Sequence, residues 1–287
     1  MFAECCVFIK QSQPPFHCNP IGLRARSSTT YRGTPSPEVT AYIQDTTDKK
    51  DIHSDWSANE KTSMEAAMGL SYVGKRALVC MKHVGLNVAA DAFINAAITG
   101  INGGVVVLVA DDPSMHSSQN EQDSRFYGKF ALIPILEPSN QQEAYDMTYN
   151  AFELSEQLGY PIMIRITTRL AHSRSGIVRK PQKPQNQLSL PTDRRKFILL
   201  PAIARQRYSA LLAAQESFEE SANNSIYNEY IDGVNKKMGI IACGLTFNYL
   251  MENFPNGCEY PIIKIGQYPL PRKKIEKLIN EWQVLLL

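Results

Sequence analysis

Asn59-Glu60-Lys61 opens a stretch with helical spacing, and its types suit a helix start. An asparagine caps the free N–H groups of a first turn, and a carboxylate beside it lies against the positive end of the helix dipole. Glu60 is therefore the sharpest single candidate for chemistry, and its plain alternative is a first-turn carboxylate that only stabilises the helix. Three further polar clusters follow short apolar runs: Lys82 to Asn87, Asp111 to Arg125, and Thr168 to Arg174. His83, His116 and His172 read either as acid–base groups or as hydrogen-bonded structural histidines; their spacing does not suit a metal. Asp111-Asp112-Pro113 either ends a strand or faces a ligand, and Gly85 permits either a close backbone approach or a tight turn. There is no Gly-x-Gly-x-x-Gly or Walker loop and no nucleophile elbow, which disfavours nucleotide binding and acyl-enzyme chemistry by those routes.

The elements that must position these clusters alternate. Helical spacing over Asn59–Tyr72, Val88–Thr99, Glu121–Phe130 and Gln141–Leu158 is interleaved with apolar runs at Ala77–Met81, Val105–Val109, Ile133–Leu136 and Ile162–Thr167. That alternation predicts an α/β fold, a doubly wound parallel sheet with right-handed crossovers. Ligands of such sheets sit beyond the C-terminal strand ends, so all three polar loops converge on one edge. Ser173 to Pro191 reads as a connector, followed by a helical arm from Pro201 to Asn223. A second α/β unit starts with strands at Met238–Cys243 and Ile262–Ile265, helices at Thr246–Asn253 and Pro271–Trp282, and the opening of a strand at Val284–Leu287.

Composition narrows the class without naming it. The chain has 287 residues, 44% hydrophobic and 20% charged, with a net charge of +2. That charge gives no footprint for nucleic acid or an anionic membrane, and no apolar run reaches the ~18–20 residues needed to cross a bilayer. Six cysteines occur without a Cys-x-x-Cys pair, so neither zinc nor an iron–sulfur cluster is expected to be ligated here. Their scatter points to a cytoplasmic setting rather than a secreted disulfide scaffold. Residues Gln11 to Thr30, rich in Pro, Ser, Gln and Arg, read as loop or poorly ordered, and the residues before them are not expected to form a signal peptide.

Several long runs resemble the 2-oxoacid:ferredoxin oxidoreductases, and in particular their indolepyruvate branch. They are Gly33-Thr34-Pro35-Ser36 with Glu38, Asn59-Glu60-Lys61, Met81 through Asp91 (MKHVGLNVAAD), and Ala110 through Arg125 (ADDPSMHSSQNEQDSR). Leu136-Glu137-Pro138-Ser139, Thr167-Thr168-Arg169 with His172-Ser173-Arg174, Gly239-Ile240-Ile241 and Ile265 through Pro271 add to it. The resemblance divides the chain into an atypical N-terminus (1–30), a pyrimidine-binding domain (31–177), a connector and helical arm (178–235) and a truncated α/β domain (236–287). It implies thiamine diphosphate chemistry in which an aryl 2-oxoacid such as indolepyruvate is oxidatively decarboxylated to the acyl-CoA. Ferredoxin takes the electrons, coenzyme A takes the acyl group, and a beta subunit completes an oligomer. The family's glutamate, which hydrogen-bonds the aminopyrimidine and favours its imino tautomer, falls by motif on Glu60. Thr34 matches the threonine near the substrate, and His83, Gly85, Asn87, Asp111 and His116 are expected to line the cofactor cleft.

The chain also departs from the family. Arg32 replaces a proline in the Tyr-Pro-Gly-Thr-Pro turn, and the N-terminus lacks the usual glycine-rich start and helix, which suggests a frameshifted or misassigned start. The diphosphate- and Mg2+-binding domain and the 4Fe-4S cluster motifs, expected in the full-length enzyme, are not in this stretch. The expectation is a fragment that binds the cofactor weakly and is inactive alone. The alternatives are a stand-alone pyrimidine-domain subunit that docks a separate diphosphate-domain chain, and a non-functional gene remnant.

Overall fold

The computed structural model describes residues 27–30, 39, 43–44, 52–173, 175–181, 183–184, 186–281 and 285–286. Strands β1 (Ser27–Thr30) and β2 (His53–Trp56) precede helix α1 (Glu60–Tyr72), β3 (Ala77–Lys82), α2 (His83–Thr99) and β4 (Val105–Asp111). Then come α3 (Arg125–Ala131), β5 (Ile135–Leu136), α4 (Gln141–Leu158), β6 (Ile162–Thr167), α5 (Thr168–His172) and the long α6 (Pro201–Asn223). The C-terminal part holds β7 (Glu229–Ile231), β8 (Gly239–Cys243), α7 (Thr246–Asn253), β9 (Ile262–Ile265), β10 (Gln267–Tyr268), α8 (Arg272–Glu281) and β11 (Leu285–Leu286).

The large sheet has the order β10-β5-β6-β4-β3-β1-β2. Its pairs are parallel except for β10, which runs antiparallel to β5. The central strands carry unbroken apolar runs because helices cover both faces. Leu78, Cys80, Val106, Leu108, Ile162 and Ile164 pack with Ala144, Met147, Ala151 and Phe152 of α4. The alternate residues Ala77, Val79, Met81, Val105, Val107 and Val109 pack with α1, α2 and α6 through Met64, Leu86, Phe93 and Phe218. Period-two alternation of Cβ direction produces this split. Phe93, Phe152 and Phe218 are the largest fully buried side chains, each contributing roughly 1.5–3 kcal/mol by burial.

The alternating α/β reading and its sheet are thus present, with changes at element ends. Helix α2 begins at His83 rather than Val88: buried His83, Leu86, Ala89 and Phe93 extend the apolar stripe upstream, so the strand passes into the helix without a loop. Helix α3 begins at Arg125, because residues before it are fastened to the end of β4. Ser27–Thr30 forms an interior strand where the sequence suggested irregular chain; a Ser-Ser-Thr-Thr run has no apolar pattern to announce it.

The smaller sheet, β11-β8-β9-β7, belongs to the C-terminal part. Its tie to the large sheet is β10, which the sequence did not reveal because a two-residue strand has no period. Asn228, 1% exposed, fixes that tie: its amide donates to the carbonyls of Ala222 and Gln267, and its Oδ1 accepts from the N–H groups of Gly266 and Gln267.

Candidate functional site

The C-terminal edge of β3 and β4 gathers the polar loops, as the sheet rule requires. Helix α1 starts at this edge with Asn59 as its cap, whose Oδ1 accepts from the Thr62 N–H at 2.9 Å and the Thr62 hydroxyl at 3.1 Å. That cap sets the first turn and places Glu60, 8% exposed, against the first turn of α2. A Cβ built on Gly85 would lie 2.5 Å from Glu60 Oε1 and 2.7 Å from its Cγ, so the side chain rests on bare glycine backbone. Among the described residues the Glu60 carboxylate meets no hydrogen-bond donor and no cation. Helix α2 offers its own dipole end here, since its N-cap residue Lys82 supplies no side-chain cap.

His83 is fully buried at the start of α2. Its Nε2 lies 3.1 Å from the Asn120 carbonyl, a geometry that places the proton on Nε2 and leaves Nδ1 an acceptor with no partner. Asn87, one turn further, is exposed and its Oδ1 accepts from the Tyr127 hydroxyl at 2.5 Å. The segment from Asp112 to Ser124 folds over this helix start. Lys82 Nζ donates to the Ser117 carbonyl at 2.6 Å and lies 3.7 Å from Asp112 Oδ2.

Asp112 is the hub of that segment. It accepts from the Ser117 N–H at 2.8 Å, the Ser118 hydroxyl at 2.5 Å, the His116 N–H at 3.3 Å and the Thr168 hydroxyl at 2.8 Å. Burial opposes its charge, yet these donors and Lys82 hold the carboxyl well below the usual carboxylate range. The backbone reverses at Ser114 and Met115, both left-handed at φ 66° and 53°, which leaves His116 exposed.

Asp111 stands at the end of β4 in a buried ion cluster beside the helix starts. Its Oδ2 accepts from Arg165 Nε at 2.6 Å and from the Ser124 N–H at 3.0 Å, while Oδ1 has no partner. Burial pushes its carboxyl up, against the pull of the Arg165 guanidinium and the Ser124 N–H. Arg165 projects from β6, the middle strand of three, and also donates to Glu137 Oε1 at 2.5 Å on the β5 side. Glu137 Oε2 accepts from the Tyr268 hydroxyl at 2.7 Å and faces Arg125 at 3.5 Å, so the cluster reaches the strand contributed by the C-terminal part.

The structure therefore sets Glu60 against Gly85, with His83 at the start of the same helix and Asn87 one turn further, and puts Asp111 and His116 at the root and on the exposed surface of the overlying segment. Thr34 lies outside the described residues. Sequence reasoning named Lys82, Asp112 and Glu137 only within longer runs and gave neither them nor Arg165 a site role of its own. A signal existed for two of them: Lys82 ends an otherwise apolar strand, and Arg165 interrupts Ile-Met-Ile-x-Ile, and buried cations require partners. Among the described residues no group of three or more His, Cys, Asp or Glu is placed to hold a metal, and no helix is long and apolar enough to cross a membrane.

Residues 23–224 match the family described as pyruvate flavodoxin/ferredoxin oxidoreductase, thiamine diphosphate-binding. The chain belongs to this family. Among curated proteins it is similar to indolepyruvate oxidoreductase subunit IorA of Archaeoglobus fulgidus, 42% identical over 265 residues, 89% of this chain and 42% of the relative. The same subunit of Pyrococcus horikoshii is 42% identical, covering 90% of this chain and 41% of that protein. The Methanothermobacter thermautotrophicus subunit is 38% identical, over 88% and 42% respectively. The chain thus spans less than half the length of these relatives. Among solved structures, the 2-oxoglutarate:ferredoxin oxidoreductase from Magnetococcus marinus shares the fold, with a TM-score of 0.72 at 15% identity over 92% of this chain and 54% of that one. A split-gene transketolase, solved as an inactive beta4 tetramer, has a TM-score of 0.53 at 12% identity over 99% and 76%. These two neighbours show that the α/β fold is shared.

Proposed function

We propose that this chain supplies the pyrimidine-binding part of an indolepyruvate-type 2-oxoacid:ferredoxin oxidoreductase. The observation that carries the reading is Glu60: a mostly buried carboxylate without a donor or cation among the described residues, seated on a glycine between two helix starts. A carboxylate confined this way and left unpaired costs stability, which a ligand that hydrogen-bonds it would recover. The aminopyrimidine of thiamine diphosphate fits: its ring nitrogen needs a carboxyl partner, and its exocyclic amine suits an acceptor such as His83 Nδ1. Bound thiamine diphosphate supplies a nucleophilic thiazolium carbon and an electron sink for decarboxylating a 2-oxoacid.

This chain's own part is to hold and tune the ring. Glu60 shares or delivers a proton at the pyrimidine nitrogen. His83 is locked as the Nε2–H tautomer by the Asn120 carbonyl and so accepts a hydrogen bond rather than donating one. The segment braced by Asp112 walls the cleft, with His116 on its surface and Asp111 at its root; Asn87 stands at the cofactor rim, and the Thr-Pro-Ser motif assigns Thr34 a substrate role. Indolepyruvate or a related aryl 2-oxoacid is the substrate, coenzyme A the acyl acceptor and ferredoxin the electron acceptor, with a beta subunit as partner in the cytoplasm. The name of the curated relatives, indolepyruvate oxidoreductase subunit IorA, supports the choice of substrate and of a multi-subunit assembly. The diphosphate, Mg2+ and 4Fe-4S clusters would be held by other parts of the assembly.

The test joins the chain to the remaining part of the Archaeoglobus fulgidus relative and compares Glu60→Gln with the parent. Turnover of indolepyruvate is expected to fall by about 10²–10⁴-fold, the range for losing an acid–base group, with an unchanged circular dichroism spectrum. Undiminished turnover would overturn the assignment.

A further inference from the structure

Gly85 sits inside helix α2, where it is buried and its backbone is helical. It is the third residue of the helix, where alanine remains the better helix former, and a contact that a side chain would destroy accounts for the glycine. The contact is Glu60. A Cβ at position 85 would stand 2.5 Å from Oε1, 2.7 Å from Cγ and 2.8 Å from Cδ, inside van der Waals distance of the whole distal half of that side chain. No backbone atom is among its three nearest neighbours, so the strain of adding a methyl would fall on the Glu60 carboxylate and not on the fold.

Resting on the reading of Glu60 given above, we infer that Gly85 is a positioning residue: its missing side chain is the seat that fixes the Glu60 carboxylate. The cap at Asn59 orients the other end, since it sets the first turn from which Glu60 projects. One constraint holds the backbone of Glu60 and the other its carboxyl group. Gly85 thereby acts on the cofactor through Glu60, not by touching it. Displacing a catalytic group by about 1 Å costs on the order of 10²-fold.

The experiment uses Gly85→Ala, Glu60→Gln and the double variant, in the chain and in the chimera with the A. fulgidus remainder. Crystal structures of the unliganded Gly85→Ala and parent chains are expected to show the Glu60 carboxylate rotated off the helix, with the backbone of α1 and α2 superposing. The Gly85→Ala chain should melt no lower than the parent, because alanine is the better helix former. In the chimera, deuterium exchange at the thiazolium carbon should slow about 10²-fold, and the double variant should exchange no slower than Glu60→Gln alone. The near-ultraviolet circular dichroism signature of the bound aminopyrimidine should be lost in all three variants.

Failures separate cleanly. Full exchange in Glu60→Gln would remove the Glu60 reading itself. Slow exchange in Glu60→Gln with parental exchange in Gly85→Ala would overturn only the positioning role. A lowered melting temperature with Glu60 unmoved would make Gly85 a packing residue, and additive losses in the double variant would mean that position 85 meets the cofactor directly. Either result overturns the inference.

Discussion

Replacing Arg165 with methionine removes the guanidinium on which the buried ion cluster turns. Its side chain is 8% exposed, and it reaches Asp111 at 2.6 Å, Glu137 at 2.5 Å and Asp123 at 3.4 Å. Breaking a buried pair by removing one partner costs about 3–5 kcal/mol, because the other charge stays buried. Glu137 would keep the Tyr268 hydroxyl and Arg125, and Asp111 would keep only the Ser124 N–H. The loss therefore centres on Asp111, and the lower part of the range, about 3–4 kcal/mol at neutral pH, is expected. Burial already holds the folded-state pKa of Asp111 above its ordinary value, so this group favours folding most when protonated and loses that contribution as pH rises through its folded value. The Arg165 charge is what restrains that upward shift, so the variant moves it further up. The stability deficit of Arg165→Met should thus be largest at pH 7–8 and shrink on acidification toward the ordinary carboxylate range, by up to about 1.4 kcal/mol per pH unit. Urea unfolding of the chain, followed by far-ultraviolet circular dichroism from pH 4.5 to 8, measures it. A deficit below about 1 kcal/mol at pH 7.5, the size of one ordinary hydrogen bond, or a deficit that grows on acidification, would refute the reasoning.

Asp112 has the opposite linkage: its folded carboxyl lies below its ordinary value, so its contribution is present above the unfolded carboxylate range and is lost as pH falls through the folded one. Asp112→Asn should flatten the acid limb of stability and speed amide hydrogen exchange at Ser117, whose N–H it accepts; unchanged exchange there would show that the hub does not hold the segment. Asn228→Ala removes the side-chain partner of two N–H groups and two carbonyls where the two sheets join, the Ala222 carbonyl keeping its helix-end N–H donors, and about 2–4 kcal/mol of stability should be lost in the same urea assay. A loss under about 1 kcal/mol would show that water replaces all four bonds.

What the sequence determined by itself was the alternation of elements and the edge on which polar residues gather. The apolar runs Ala77–Met81, Val105–Val109 and Ile162–Thr167 read as short, doubly covered strands, and a parallel sheet leaves one place for its ligands. Asn59-Glu60 was legible because capping is local chemistry, settled within one turn. The tertiary structure decided what those residues meet. Gly85 beneath Glu60 joins residues from two helices, and Arg165 between Asp111 and Glu137 joins three strands; register and helix packing create these contacts, and no local spacing encodes them. The same holds for β10, a two-residue strand that becomes one only by pairing with β5. Periodicity records which face of an element is buried, while the partner across that face depends on where the whole chain has carried it.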